Sequence, residues 1–271
     1  MQNIHTFIVD AFTDKPFSGN PAGVCLIKTE IDEKIMQSIA SELNLSETAF
    51  LLQQKNDTQY NIRYFTPTTE IDFCGHATLA SAKIILDKMG KGKVEFITSK
   101  NLRISANNNG DYVKMKFPSY KTKDYEPNKA ILDAFGIANP VYVGYCQELD
   151  MLLIEVNDKQ SLLNIKPNFQ KALESSKTIK EVVITTKSED AEYDFYSRCF
   201  CPWLGINEDP VTGAAHSVLA KYWGKKLNKR NMSAFQLSKR GGFLHLKIVD
   251  EKTLEVFSNA QIVFEGKLNV K

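Results

Sequence analysis

No stretch of the 271-residue chain approaches the roughly 18 consecutive apolar residues that a membrane-spanning helix requires. The opening "MQNIHTFIVDAF" has no basic segment followed by a long apolar run, so a secretory leader is not expected. An excess of one charge is also missing: 34 Lys+Arg stand against 32 Asp+Glu, a formal net charge of +2. The densest basic run, "KKLNKRN" at 225–231, is short and reads as a solvated helix end and loop rather than a nucleic-acid site. Cysteine is scarce, with five residues at uneven spacing, which suits reduced thiols better than a disulfide framework. These absences predict a globular, cytoplasmic protein with no nucleic-acid and no membrane partner.

What is present is ample apolar content, 43 %, for one large domain or two smaller ones. The first half opens with a strand-like run, "HTFIVDAFT", and a Gly/Pro loop. A helix follows, with Ile31, Ile35, Met36, Ile39, Ala40 and Leu43 at three- and four-residue steps and Thr29 with Asp32 resembling a capping box. Strands are expected in "SETAFLLQ" and in "YNIRYFTPTTEID", where Tyr60, Ile62 and Tyr64 alternate. A second helix begins at "CGHATLASA" and stops at Gly90, and three short strands then run to Pro118. Residues 120–128, "YKTKDYEPN", are polar and aperiodic and read as a linker.

Beyond it the order partly recurs, through helix, strands, a further helix-and-strand set, and then "EDPVTGAAHSVLAKYWG". "CGHATLASA" and "TGAAHSVLA" share a design, a glycine after an extended segment and then a helix of small residues. One such junction per half suggests a duplicated architecture, and the chain closes in three strands. The fold class is α+β in two similar lobes, each a sheet wrapped on a helix.

A helix start leaves backbone N–H groups unpaired and carries about half a positive charge, so each junction is a potential anion site. The same glycines also serve plain helix–sheet packing. Cys74 has four readings: nucleophile, metal ligand, racemase base or small buried residue. A nucleophile wants a base, and His76 two residues away is at a spacing that seldom aims one side chain at the other. A metal ligand wants companions, and Cys199 and Cys201 form a C-x-C without a matching His pair, so no metal is expected. A racemase base wants a second cysteine, where Thr212 stands. The small buried residue is the reading these comparisons favour. Glu47, where a helix ends and a strand begins, becomes a proton shuttle if burial lifts its pKa and is otherwise a surface residue. Asp209 before Pro210 reads equally as a turn former, and Thr212 before Gly213 as a helix cap.

Four ordered blocks, "FSGNPAGV", "LSETAF", "RYFTPTTEIDFCGHATLASA" and "PWLGINEDPVTGAAHSVLA", closely resemble the PhzF-like (phenazine-biosynthesis-like) proteins over essentially the whole chain. The resemblance implies a diaminopimelate epimerase-like fold: two pseudo-symmetric lobes, each a barrel-like sheet around a central helix, with the active site in the cleft between them. The lobes would be 1–119 and 128–259, with the strand at about 260–271 a candidate to pack on the first. It further implies a homodimer and a cofactor-independent isomerase that moves a proton within a small carboxylate substrate. Glu47 matches the family's acid/base, His76 its active-site histidine and Asp209 its aspartate. Gly75, Ala77, Thr212, Gly213 and Ala214 fall at the substrate-binding helix starts. Two departures bear on the substrate: Ala214 replaces a common serine, and "KRGGF" stands near a "GRPS"-like segment. The alternatives are an amino-acid racemase or epimerase using Cys74, and a non-catalytic ligand-binding protein.

Overall fold

The computed structural model describes residues 2–270. Among the described residues two compact units emerge, one of residues 2–117 with 255–270 and the other of residues 118–254. Residues 255–259 thus belong with the first unit, and 118–127 with the second. The expected linker at 120–128 is not free chain. Tyr120 N–H donates to Ser217 O (3.0 Å), and Lys123–Asp124 pairs with Gly144 and Tyr145.

In the first unit, Gln2–Ala11 pairs antiparallel with Asn20–Ile27 on one side and with the final strand Ala260–Val270 on the other. Asn20–Ile27 then runs parallel to Glu47–Gln53, across a connection that contains the helix Glu33–Leu43. Glu47–Gln53 pairs antiparallel with Gln59–Phe65, which runs parallel to Lys93–Thr98. The second crossover carries the helix Gly75–Lys83, continued by a wider turn over Ile84–Lys88. Lys93–Thr98 pairs antiparallel with Arg103–Asn109.

The second unit repeats this pattern step for step. Tyr142–Cys146 pairs antiparallel with Met151–Glu155, which runs parallel to Glu181–Lys187 across the helices Lys159–Leu163 and Phe169–Ser175. Glu181–Lys187 pairs antiparallel with Phe195–Cys201, which runs parallel to Asn231–Gln236 across the helix Gly213–Leu227. Asn231–Gln236 then pairs antiparallel with Gly242–Ile248. Parallel neighbours require a crossover, so each parallel step falls where the sequence places helix-forming residues. In this alignment of elements Glu47 and Glu181 both open the third strand, and Cys74 and Thr212 both precede the second crossover helix.

Composition decides where those helices lie. Apart from His76, Gly75–Ala82 is small or apolar, and all eight residues are buried. A helix without a polar face belongs inside a core. Its two hydroxyls are satisfied within the helix, Thr78 donating to Cys74 O (2.6 Å) and Ser81 to Ala77 O (2.7 Å). Gly213–Leu227 is buried over most of its length, with Trp223 donating to Thr185 Oγ1 at 2.9 Å. By contrast Glu33–Leu43 buries one stripe, Met36, Ile39 and Ala40. Its N-cap is Asp32 rather than Thr29, and the Asp32 carboxylate accepts from Lys34 N at 2.7 Å. The basic run at 225–231 forms the last turn of Gly213–Leu227 and the loop after it, with Lys226 paired to Glu155 and Lys229 to Asp194. All five cysteines are free and buried. No helix among the described residues is long and apolar enough to cross a membrane.

Candidate active site

In the first unit three side chains from two elements meet. Glu47 opens its strand just after the exposed helix and is 9 % exposed. Its Oε2 lies 3.0 Å from His76 Nε2, and Ser46 Oγ lies 3.3 Å from the same nitrogen. The carboxylate and ring approach as an ion pair. Cys74 Sγ is 3.3 Å from His76 Nδ1 and 3.8 Å from Nε2. The fourth neighbour is Asn20, fully buried at the start of its strand, with its amide nitrogen 3.2 Å from Nδ1.

The approach of Cys74 to His76 corrects the expectation drawn from their spacing. Cys74 is the residue before the helix, with extended dihedrals (φ −144°, ψ 116°), while His76 is already helical. A side chain in that capping position folds forward over the next two or three residues, as a capping serine would. The thiol therefore reaches the imidazole.

Electrostatics define the resting protonation. Burial alone pushes the Glu47 carboxyl up. The His76 charge and hydrogen bonds from His76 and Ser46 outweigh it and hold the carboxyl below its ordinary value. This reverses the direction expected of a buried glutamate. Burial likewise pulls His76 down, but Cys74 and Glu47 together lift it well above 6.5. The Cys74 thiol is itself pushed up, chiefly by burial, rather than lowered by the helix start. A neutral thiol lends no charge, so near neutral pH Glu47 is what holds the proton on His76.

Backbone amides complete this half. No side chain caps the start of Gly75–Lys83, and the first amide bonded within the helix is Thr78 N–H, to Cys74 O at 3.0 Å. The amides of Gly75 and His76 stand at the positive end of the helix dipole beside Glu47 and His76.

The second unit holds the other expected residues in a cluster of its own. Thr212 Oγ1 donates to the Asp209 carboxylate. Gln236 Nε2 donates to Asp209 O (2.7 Å) and lies 3.3 Å from Thr212 Oγ1, and its Oε1 accepts from Thr212 N (3.0 Å). Asp209 is 8 % exposed; Gly213 is buried and Ala214 half-buried at the helix start. Sequence reading missed Asn20, Ser46 and Gln236. Asn20 had a signal, since it stands in the quoted "FSGNPAGV" block.

Comparison with known proteins then decides the family. The family model for the phenazine biosynthesis-like proteins, PhzC-PhzF, matches residues 9–266. The chain belongs to the phenazine biosynthesis-like family. An uncharacterised isomerase of Halalkalibacterium halodurans is 44 % identical over 93 % of this chain and 94 % of its own. A human phenazine biosynthesis-like domain-containing protein is 38 % identical, covering 97 % and 98 %. The crystal structure of an Enterococcus faecalis protein of the PhzF family superposes with a TM-score of 0.91 at 33 % identity, over 99 % and 100 % of the two chains. The fold is the mixed, sheet-dominated two-lobe architecture of the family, and the enzyme class is isomerase.

Proposed function

We propose that the protein is a cofactor-independent isomerase in which Glu47 removes a proton from one carbon of a small carboxylate substrate and returns it to another. The observation that carries this reading is the buried Glu47–His76 pair at the start of a buried helix. Glu47 rests as a carboxylate, the form a base needs, and His76 holds the countercharge. When Glu47 takes the proton, the pair loses its Coulomb attraction, so the proton is easily passed back. A positioned acid/base supplies typically about 10²–10⁴-fold in rate. The Gly75 and His76 amides are placed to hold the substrate's anionic group and to stabilise the charge that develops on it.

The resemblance also places Ala77 at this helix start. The resemblance assigns Asp209, with Thr212, Gly213 and Ala214, to substrate binding. Asp209→Asn, which removes the charge and keeps the Thr212 contact, tests that assignment: turnover falls with the fold intact. The missing hydroxyl at Ala214 favours a substrate other than the phenazine intermediate. Cytoplasmic location and a homodimer belong to the same reading. A Cys74 racemase is disfavoured, because its thiol is pushed up by burial and Thr212 occupies the matching junction. A non-catalytic binding protein would have no use for a carboxylate base held ionised beside its countercharge. The experiment is exchange of substrate protons with solvent, compared between the wild type and Glu47→Gln.

A further inference from the structure

The three groups that meet at His76 are also three metal-binding groups of a recognised kind. One thiolate sulfur, one imidazole nitrogen and one carboxylate oxygen, from Cys74, His76 and Glu47, all lie within 4.8 Å of one another. Sequence reading set a metal aside because Cys74 had no companions, and the fold supplies Glu47 from 27 positions earlier in the chain. Nε2 is within reach of both partners, with Oε2 at 3.0 Å and Sγ at 3.8 Å, and Sγ also lies 3.3 Å from Nδ1. A tetrahedral zinc with ordinary bond lengths spaces sulfur and nitrogen by about 3.6 Å, and nitrogen and oxygen by about 3.4 Å. Both separations from Nε2 are within a few tenths of an ångström of those edges.

The surroundings also suit a metal-bound imidazole. Nε2 is the ring nitrogen beside the Glu47 carboxylate, and the Asn20 amide lies 3.2 Å from Nδ1, where it helps to orient the ring. A mixed sulfur, nitrogen and oxygen set is soft enough for zinc and wrong for magnesium or calcium, which take oxygen. Three protein ligands leave a fourth position for water, the arrangement of an accessible rather than a structural site.

We propose that Glu47, Cys74 and His76 form a reversible binding site for Zn²⁺ that switches the isomerase off. The ion replaces the thiol proton of Cys74 and the Nε2 proton of His76, both released to solvent, with no change of oxidation state. It also takes the Glu47 lone pair needed for substrate. The binding claim stands on the three ligands alone; only the loss of turnover rests on the reading of Glu47 as acid/base.

The test uses the full-length, reduced, metal-free protein and Co²⁺ as a spectroscopic stand-in, with no substrate present. Cobalt should bind with one-to-one stoichiometry and give visible bands of tetrahedral intensity with a near-ultraviolet thiolate-to-cobalt band, and zinc should abolish both. Cys74→Ser should lose the thiolate band, and Glu47→Gln should weaken zinc by at least about 10-fold in competition with a chromophoric chelator. Cys146→Ser, remote in sequence and buried in the second unit, should bind as wild type does. Absence of the band in wild type, its survival in Cys74→Ser, or wild-type zinc affinity in Glu47→Gln would each overturn the proposal. Circular dichroism verifies that the variants are folded, and Cys74→Ala replaces Cys74→Ser if that variant is not. In turnover assays stoichiometric zinc should stop exchange and a chelator restore it. Full exchange with zinc bound would overturn the switch, whereas an inactive protein that still binds cobalt would count against the isomerase alone.

Discussion

Glu47 Oε2 and His76 Nε2 stand 3.0 Å apart, with 12 % and 7 % of their side chains exposed. A pair so placed is an acid and a base whose protonation each depends on the other, and its consequences reach both stability and chemistry.

The pair should be visible as a pH window. His76 is raised in the folded protein, so its contribution is complete below the unfolded value of 6.5 and is lost as pH rises through the folded value. Glu47 is lowered, so its contribution is present above 4.5 and is lost as pH falls through the folded value. Both therefore contribute fully between pH 4.5 and 6.5. We expect Glu47→Gln to cost about 2 kcal/mol there and less toward alkaline pH, read from denaturant unfolding with a chelator present. Ring ¹⁵N shifts should show His76 still protonated in the wild type at pH 6.5, and deprotonated there in Glu47→Gln.

Asn20 is set by the turn before it. Gly19 has φ +65°, and a Cβ there would meet Ala11 O at 2.1 Å. Two further residues of this turn, Phe12 and Phe17, are left-handed without being glycine, and Asp10 holds Phe17 N–H at 2.6 Å. Gly19→Ala should destabilise the protein by about 2 kcal/mol or more and shift the His76 ring resonances through Asn20. Unchanged resonances would disconnect Asn20 from the ring.

His216 gives the opposite pH signature. It is fully buried, its Nδ1 2.7 Å from Thr212 O, and burial lowers it to about 4, only partly opposed by that carbonyl. The unfolded chain takes up a proton below 6.5 that the folded chain refuses until about 4. Stability should therefore fall by about 3 kcal/mol as pH drops across that interval. His216→Gln should flatten that part of the profile in unfolding experiments near pH 7 and near pH 4.5. An undiminished acid slope would assign it to other groups.

Much of the fold was legible because it is written in local patterns. The periodic stripe of Glu33–Leu43, the small-residue helix after Cys74 and the recurrence of "CGHATLASA" as "TGAAHSVLA" all act within a few residues of chain. The cap at Asp32 and the structured course of residues 120–128 were not legible, since each depends on which hydrogen-bond partner the folded chain supplies. The site divides the same way. Glu47, His76 and Asp209 were identifiable through the resemblance, but their protonation was not. Burial would raise Glu47, and chiefly the imidazole, 29 positions later, decides that it is lowered. Cys74 is buried as read, but its approach to His76 was missed because spacing arguments assume one regular element, whereas it sits where a strand-like residue turns into a helix.

The most direct measurement is deuterium incorporation by NMR, with a panel of small carboxylic acids incubated with the enzyme in D₂O. The account predicts that the wild type places deuterium at carbon in the acid it turns over, and that folded Glu47→Gln does so at least about 10²-fold more slowly. Undiminished incorporation by Glu47→Gln would contradict it.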